Sequence, residues 1–452
     1  MDSSLLDAAG TDPVAIAAAI AGDNPRAAEF TADVAESAWN LALSRAGAEA
    51  VWPEIRGNVF EWVLGQPDPL VFFEQSIVDG HPRHPLKRTR RGMSAAEQVA
   101  YAPEHRPEVD LVWVPMPRDR VEEDGWAFRD GKRLLLPLHP WQYEHVAAEL
   151  DLPDPVTARF PARPLMSLRT FALPWRRNVH VKTSIGVQMT SAVRTVSPAS
   201  QHNGRTLRAF LSRTETFYAL HEHGYISVLD DDCKPRKELS AIARHAPVAR
   251  YLPVFGYGRV PIPVGALTTP TPHHRSFLAE AVELSGLGPV EWWDRLLAVL
   301  LPEPLRLAAQ GFGLEAHGQN LVLALRGGIP VEVRYRDFGG IRVHTSYHRH
   351  VRFEGDLRTD DVHEVHRTLL GSLFGTVLLD LAGDLAATYD LSATALWRAA
   401  AAIIDRLALP ETLRAALFAD TLPVKALTSM RLATDQLEPV WAPVPNPLAA
   451  HR

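Results

Sequence analysis

The sequence predicts an α+β fold, with a sheet-rich middle held between helical ends. Three observations carry this. Residues 12–65 are Ala-rich, with apolar residues at three- and four-residue spacing, the period of an amphipathic helix. Between residues 165 and 209 polar and apolar residues alternate in places, as in "NVHVKTSIGVQMTSAVRTV", which reads as a sheet with two unlike faces. Helical spacing returns from Phe277 to Gly311, and again from Asp361 to Ala419.

The remaining elements follow in order. "VDLVWVPMP" and "KRLLLPLHPW" read as strands bounded by prolines, and "GYISVLDDD" continues the sheet. Pro and Gly cluster between Pro247 and Pro272, which predicts a connecting segment. "NLVLAL", "RGGIP" and "VEVRYRDF" together predict a β-hairpin. No internal repeat interrupts this order.

The chain has 452 residues, 46% of them hydrophobic, enough for a large core. Its net charge of -6 and pI near 6.3 lack the basic field of a nucleic-acid binder. The single cysteine, Cys233, excludes a disulfide framework and any site built from several thiolates. Met1–Gly10 carries no basic segment followed by a long apolar core. The most apolar helical stretch, near Val377–Ala387, is interrupted by Asp380 and Asp384 and reads as too short to span a bilayer. A cytoplasmic protein without a membrane partner is expected.

The chemistry begins at "IVDGHPRHPLKRTRRG", where two His-Pro pairs precede Lys87, Arg88, Arg90 and Arg91. Proline disfavours helix for the residue before it, so His81 and His84 are held extended. Four more clusters place polar residues in ordered contexts: "SLRT" (Ser167, Arg169, Thr170), "VKTSIGVQMTSAVR" (Lys182, Thr190, Arg194), "EAHGQN" (Glu315, His317, Asn320) and "YRDFGG" (Asp337). Such a set suits a nucleoside triphosphate. Arginine and lysine neutralise phosphate, while Asn320 and Asp337, at the two ends of one hairpin, offer oxygen ligands to a single Mg2+. The pairing of "HGQN" with Asp-Phe-Gly echoes the metal-binding half of a kinase. Gly318 and Gln319 stand where a kinase needs its catalytic base, and neither a P-loop nor a G-x-G-x-x-G loop is present.

Each cluster has a structural alternative. Taken alone, His81 and His84 read first as turn caps; a zinc triad with His139 lacks the cysteine or carboxylate that such a site wants. Arg90 and Arg91 read as a solvated basic face, and Lys182 and Arg194 as strand residues facing water. "HTSYHRH" from His344 reads as a surface loop, and Trp292 and Trp293 as core. Only the combination exceeds these alternatives.

That combination resembles a known family. "GHPRHPLKRTRRG", "LHPWQ", "SLRT", "VKTSIGVQMTSAVRT", "EAHGQN", "RDFGG" and "LPVKALTSMRL" resemble, in order, the signature blocks of the NRPS-independent siderophore synthetases of aerobactin-synthetase type. The resemblance implies a cupped hand, with a helical thumb (1–70, shortened), sheet-rich fingers (71–275) and a mixed sheet and helical palm (276–452). It implies a ligase that uses ATP and Mg2+ to adenylate a carboxylate, commonly citrate or a derivative, and then condenses it with an amine or hydroxylamine.

By position within the blocks, the resemblance places His81, His84, Lys87, Ser167, Arg169, Thr170, Lys182 and Asn320 at ATP. It places Thr190, Arg194, Glu315, His317 and Lys425 at the carboxylate, and Asn320, Asp337 and Glu315 at the metal. Arg194, His317 and Lys182 are the expected catalytic residues. The shortened thumb, which often carries dimer contacts, leaves a homodimer open. Some members resemble iron-siderophore reductases in their C-terminal helices, and the lone Cys233 excludes a cysteine-ligated iron–sulfur site here. Two other functions fit parts of the pattern: a kinase-like phosphotransferase, and a degenerate protein that binds a precursor without chemistry.

Overall fold

The structure, a computed structural model, describes residues 10–452 except 148–149, 190–191, 209, 212–213, 215, 248–257, 272–274, 348 and 437. Two sheets position the chemistry. The larger has seven antiparallel strands, in the order Val109–Asp110, Pro161–Pro164, Thr170–Ala172, Val179–Thr183, Pro235–His245, Glu222–Leu229 and Val121–Asp124. Successive side chains point to opposite faces. One face gives Phe171, Val179, Val181, Ala241 and Ala243 to an apolar core with Trp113 and Trp126. The other presents Thr170, His180, Lys182, Glu222 and Arg244, and all five are buried as well. The alternation in the sequence therefore marks two buried faces, one apolar and one charged.

The smaller sheet runs Phe217–Ala219, Ile329–Tyr335, Leu321–Arg326, Arg259–Pro263. Its expected hairpin turns at Gly327 and Gly328, with φ of 52° and 76°. Positive φ at both central positions is the tight turn whose twist matches that of paired strands. Trp292 and Trp293 are core, and their indoles donate to the carbonyls of Gly328 (2.8 Å) and Leu396 (2.9 Å).

Four expectations are corrected. Arg259–Pro263 lies within the Pro- and Gly-rich segment read as a connection, yet it is a strand paired to Leu321–Arg326. It is an edge strand, where a proline lacking an N–H is tolerated. Pro198–Arg208 is a helix and not part of a sheet. The apolar helix is not short: Val362–Leu369, a π-helical Leu370–Leu378 and Leu379–Tyr389 run on as 28 residues. That is long and apolar enough to cross a membrane, but most of it is buried inside this fold. Asp380 pairs with Arg83 at 2.6 Å, and Asp384 accepts from the Ser276 hydroxyl at 2.6 Å.

The fourth correction concerns Arg90, which is buried; Arg91 does stay exposed, but is ion-paired to Asp33. The Ala27–Val51 helix lays a stripe of Asp33, Ser37, Asn40 and Ser44 over the basic run, all buried at helical spacing. Asp33 takes Arg91 and Arg431, Asn40 donates to the Arg88 carbonyl at 2.8 Å, and Ser37 accepts from the Arg88 N–H at 3.1 Å. Glu104, fully buried, accepts from Arg90 at 2.7 Å and lies 3.7 Å from Arg88. Burial pushes the Glu104 carboxyl up, but Arg90, Arg88 and Ser44 outweigh it and hold it at about 2.

Glu104→Gln would leave two buried guanidinium groups without their anion and should cost about 3–5 kcal/mol at neutral pH. A carboxyl depressed in the fold stabilises it above the unfolded pKa and loses that contribution as pH falls through the folded one. The gap in urea midpoint between wild type and variant should therefore close as pH drops from about 4.5 towards about 2. A variant that unfolds with the wild type at pH 7 would overturn this reading.

Candidate active site

The charged face of the large sheet meets the end of the hairpin. Lys182, on the fourth of the seven strands, sets its ammonium 2.7 Å from Oδ2 of Asp337, which directly follows the hairpin. Asp337 has a left-handed backbone, φ 71°, unusual for a residue other than glycine. Burial pushes its carboxyl up, but Lys182, Arg244 and Arg169 hold it well below the usual carboxylate range. Burial lowers Lys182, with Asp337 opposing that shift. Lys182 thus points into protein and not to water, because a second sheet covers its face.

"SLRT" forms a turn through Leu168, at φ 64°. Ser167 Oγ donates to Thr170 Oγ1 at 2.8 Å, and Arg169 reaches across to the carbonyls of Arg194 (2.9 Å) and Thr195 (3.0 Å). Arg194 faces the same space; burial lowers its pKa, and Asp337 and Glu315 raise it. Thr190 lies outside the described residues. Between "SLRT" and the hairpin is a small polar cavity walled by Ser167, Thr170, Arg244, Asn320, Arg336 and Asp337.

"EAHGQN" closes the opposite side. Asn320 donates from Nδ2 to the Glu315 carbonyl at 3.1 Å, and its N–H donates to the His317 carbonyl at 2.9 Å. Glu315 Oε1 holds the Lys425 ammonium at 2.7 Å. Gly340 admits that carboxylate, since a Cβ there would lie 1.9 Å from Glu315 Oε2. His317 is pulled down by burial, with Glu315 pulling the other way.

The opening loop divides. His81 lies at the mouth of the cleft, exposed on one side, and feels His317, Lys425 and Glu315; burial of the rest of the ring lowers it to about 4. Its Nδ1 accepts from the Arg83 N–H at 3.2 Å, so it also caps a turn. His84 is buried and caps the next turn, accepting from the Leu86 N–H at 2.9 Å. Lys87 is not brought to the cleft but faces Asp79 at 3.7 Å. The zinc triad does not form: His139 Nδ1 caps the Pro140–His145 helix at 3.0 Å, and the ring packs on Tyr101 and Phe171. Among the described residues, the Cys, His and carboxylate groups close enough to share an ion are Glu97, Glu144 and His145.

Against this geometry, comparison with known proteins is informative. The IucA / IucC family model matches residues 69–269, and a ferric iron reductase FhuF-like transporter model matches residues 290–438. Over residues 69–269 the chain is thus similar to the IucA/IucC family, the NRPS-independent siderophore synthetases whose signature blocks it carries. Staphyloferrin A synthase of Staphylococcus aureus is 25% identical over 86% of this chain and 76% of its own length. Aerobactin synthase of Escherichia coli is 24% identical over 59% of this chain, which spans only 54% of that relative. ATP-bound aerobactin synthetase IucA of Klebsiella pneumoniae superposes with a TM-score of 0.80, covering 96% of this chain and 86% of that one at 18% identity. Petrobactin biosynthesis protein AsbB of Bacillus anthracis gives 0.76, covering 95% and 80% at 17% identity. These structural likenesses are likenesses of fold, and they agree with the expected α+β class.

Sequence reasoning missed Glu222, Arg244 and the Glu74–Arg336 pair (2.6 Å), which lines the polar cavity. Glu222 and Arg244 pair across the strands and share a face with Lys182. The available signal was a charge at the buried-face position of each neighbouring strand, in "HEHG" and "ARHA". Burial raises Glu222 to about 7, with Lys182 opposing.

Because the fold keeps Glu222 protonated after the unfolded chain has ionised, stability should fall as pH rises from about 4.5 to about 7. Glu222→Gln should flatten that slope and gain about 2–3 kcal/mol at pH 8. Urea melts of both proteins from pH 4 to 8 check this (about four pH steps suffice); parallel curves would refute it.

Proposed function

We propose that this protein is a siderophore synthetase, an ATP-dependent carboxylate–amine ligase that works through an acyl-adenylate. One observation carries the reading: Lys182, Arg169, Arg194 and Arg244 converge, largely buried, around a single strongly ionised carboxylate, Asp337. Uncompensated positive charge in low dielectric is costly until an anion arrives. A triphosphate together with a carboxylate is an anion of the right kind. The relatives' names and the ATP in the Klebsiella structure support the same assignment.

In this reading Ser167, Arg169, Thr170, Lys182 and Asn320 receive the phosphates, with His81 at the rim. Arg194, His317, Lys425 and Thr190 receive the acid, and Glu315 acts by presenting Lys425. A carboxylate oxygen attacks the α-phosphorus and pyrophosphate leaves. An amine or hydroxylamine then attacks the acyl carbon and AMP leaves. Fixed cations aimed at the charge that builds on both groups lower the barrier to the first step. His317, neutral at pH 7, takes the proton shed by the attacking nitrogen.

Asp337, Glu315 and Asn320 carry the hard oxygen donors that Mg2+ prefers. Two of them already hold a cation, the ammonium of Lys182 or Lys425. The donor set therefore fits Mg2+, and these residues would hold it, leaving Lys182 for the phosphates and Lys425 for the acid. The ion would supply charge neutralisation at the phosphates.

The direct test is ATP–pyrophosphate exchange across citrate, citryl monoamides, 2-oxoglutarate and succinate. Acid-dependent exchange with AMP as product is expected. ADP would point to a phosphotransferase, and silence with every acid to a binding protein. Arg194→Ala and His317→Ala should each lose roughly a hundredfold or more in turnover, about 3 kcal/mol, while keeping the wild-type melting temperature. Near-normal turnover in both would move the reaction out of this cleft.

Asp337→Asn keeps the shape but removes the anionic oxygen, so the Mg2+ concentration for half-maximal rate should rise about tenfold. An unchanged Mg2+ requirement would place the ion elsewhere.

A further inference from the structure

A second cavity, of about 280 Å3, lies against the Pro69–Gln75 helix, on a different face from Glu74. Asp68, Val71, Phe72 and Gln75 line it at helical spacing, facing Trp62 and Arg106. It shares no lining residue with the polar cavity of the cleft.

Arg106 sets its chemistry. The guanidinium lies 4.8 Å over the Phe72 ring and 5.2 Å over the Trp52 ring, and donates to Ser76 Oγ at 2.9 Å. Burial alone acts on its charge, and lowers it to about 10. The buried arginines Arg88, Arg90, Arg336 and Arg431 each meet a carboxylate. Among the described residues, none pairs with Arg106. Arg163 adds a second positive charge to the wall. Asp68, which accepts from the N–H groups of Leu70 (3.1 Å) and Val71 (3.4 Å), answers the charge of Arg163 and not that of Arg106, and Glu108 is exposed at the rim.

We propose that this cavity is a second ligand site, built for a small carboxylate with a flat apolar body. Arg106 takes the carboxylate through its planar fork of N–H groups, and Phe72 and Trp62, 5.1 Å apart and edge to face, take the body. Aromatic walls with a few placed polar groups are the usual make-up of a small-molecule site. The inference is independent of the ligase reading, since no cleft residue takes part.

Titration calorimetry with benzoate tests it, with benzylamine as the probe of opposite charge. Wild type should bind benzoate saturably and benzylamine at least about tenfold more weakly. Arg106→Gln should weaken benzoate about tenfold or more. Val51→Trp, placed at the exposed rim of the cavity, should do the same by filling it. Arg194→Ala, in the cleft and expected to keep the wild-type melting temperature, should leave benzoate binding unchanged. Absent binding, equal affinity for benzylamine, or loss in Arg194→Ala would each overturn the proposal. If Arg106→Gln fails to fold, Val51→Trp and the two probes still decide it.

Discussion

The ion pair between Lys182 and Asp337 is the interaction on which the rest of the cleft depends, because each partner comes from a different sheet. Neither charge would survive burial alone. Together they lock the charged face of the seven-stranded sheet against the hairpin of the four-stranded one. Asp337, with its left-handed backbone, opens the turn that leads to Gly340, and the space left there receives Glu315. Glu315 in turn fixes Lys425. One turn thus aligns two acid–base pairs, drawn from residues far apart in sequence.

A buried ion pair is a poor device for stability, since well-packed apolar residues of the same volume usually do as well. The charges here are also unbalanced: around Asp337 the cations outnumber the ionised carboxylates, with Glu222 raised towards neutrality. Elsewhere arginines meet carboxylates one for one, as Arg336 does Glu74, and as Arg91 and Arg431 do Asp33 and Glu29. That contrast separates scaffold from site. Where positive charge is matched internally it joins elements; where it is left over it awaits a ligand.

Much of this was legible in the sequence, and what was missed has a physical cause. Helical periodicity located the terminal helices, and alternation located the strands, because both depend on local spacing. Alternation reports that two faces differ, but not what covers the polar one, so Lys182 read as solvent-facing when a second sheet buries it. The basic run after His84 failed in the same way. Its partners Asp33, Ser37 and Asn40 lie about fifty residues earlier, on a helix whose polar stripe looks like a solvated face until it is docked. Signature blocks carried the cleft residues further than periodicity could, yet Lys87, inside such a block, turns to Asp79. A block brings a segment to the site without aiming every side chain in it.

The long apolar helix shows how the core reaches the chemistry. Its π-helical centre, Leu370–Leu378, packs against the Thr421–Lys425 strand, and Gly371 and Gly375 permit the contact: a Cβ at either would lie 2.8 or 3.2 Å from the Pro423 carbonyl. Between them Ser372 accepts from the Ala316 N–H at 2.9 Å, one residue from Glu315. A widened turn is a recurrent feature near functional sites, since it re-aims side chains without breaking the helix. Here one short stretch supports both the loop that carries Glu315 and the strand that carries Lys425. The 2.7 Å separation of that pair is therefore set from beneath, by a helix that holds the residue next to each partner, Ala316 and Val424.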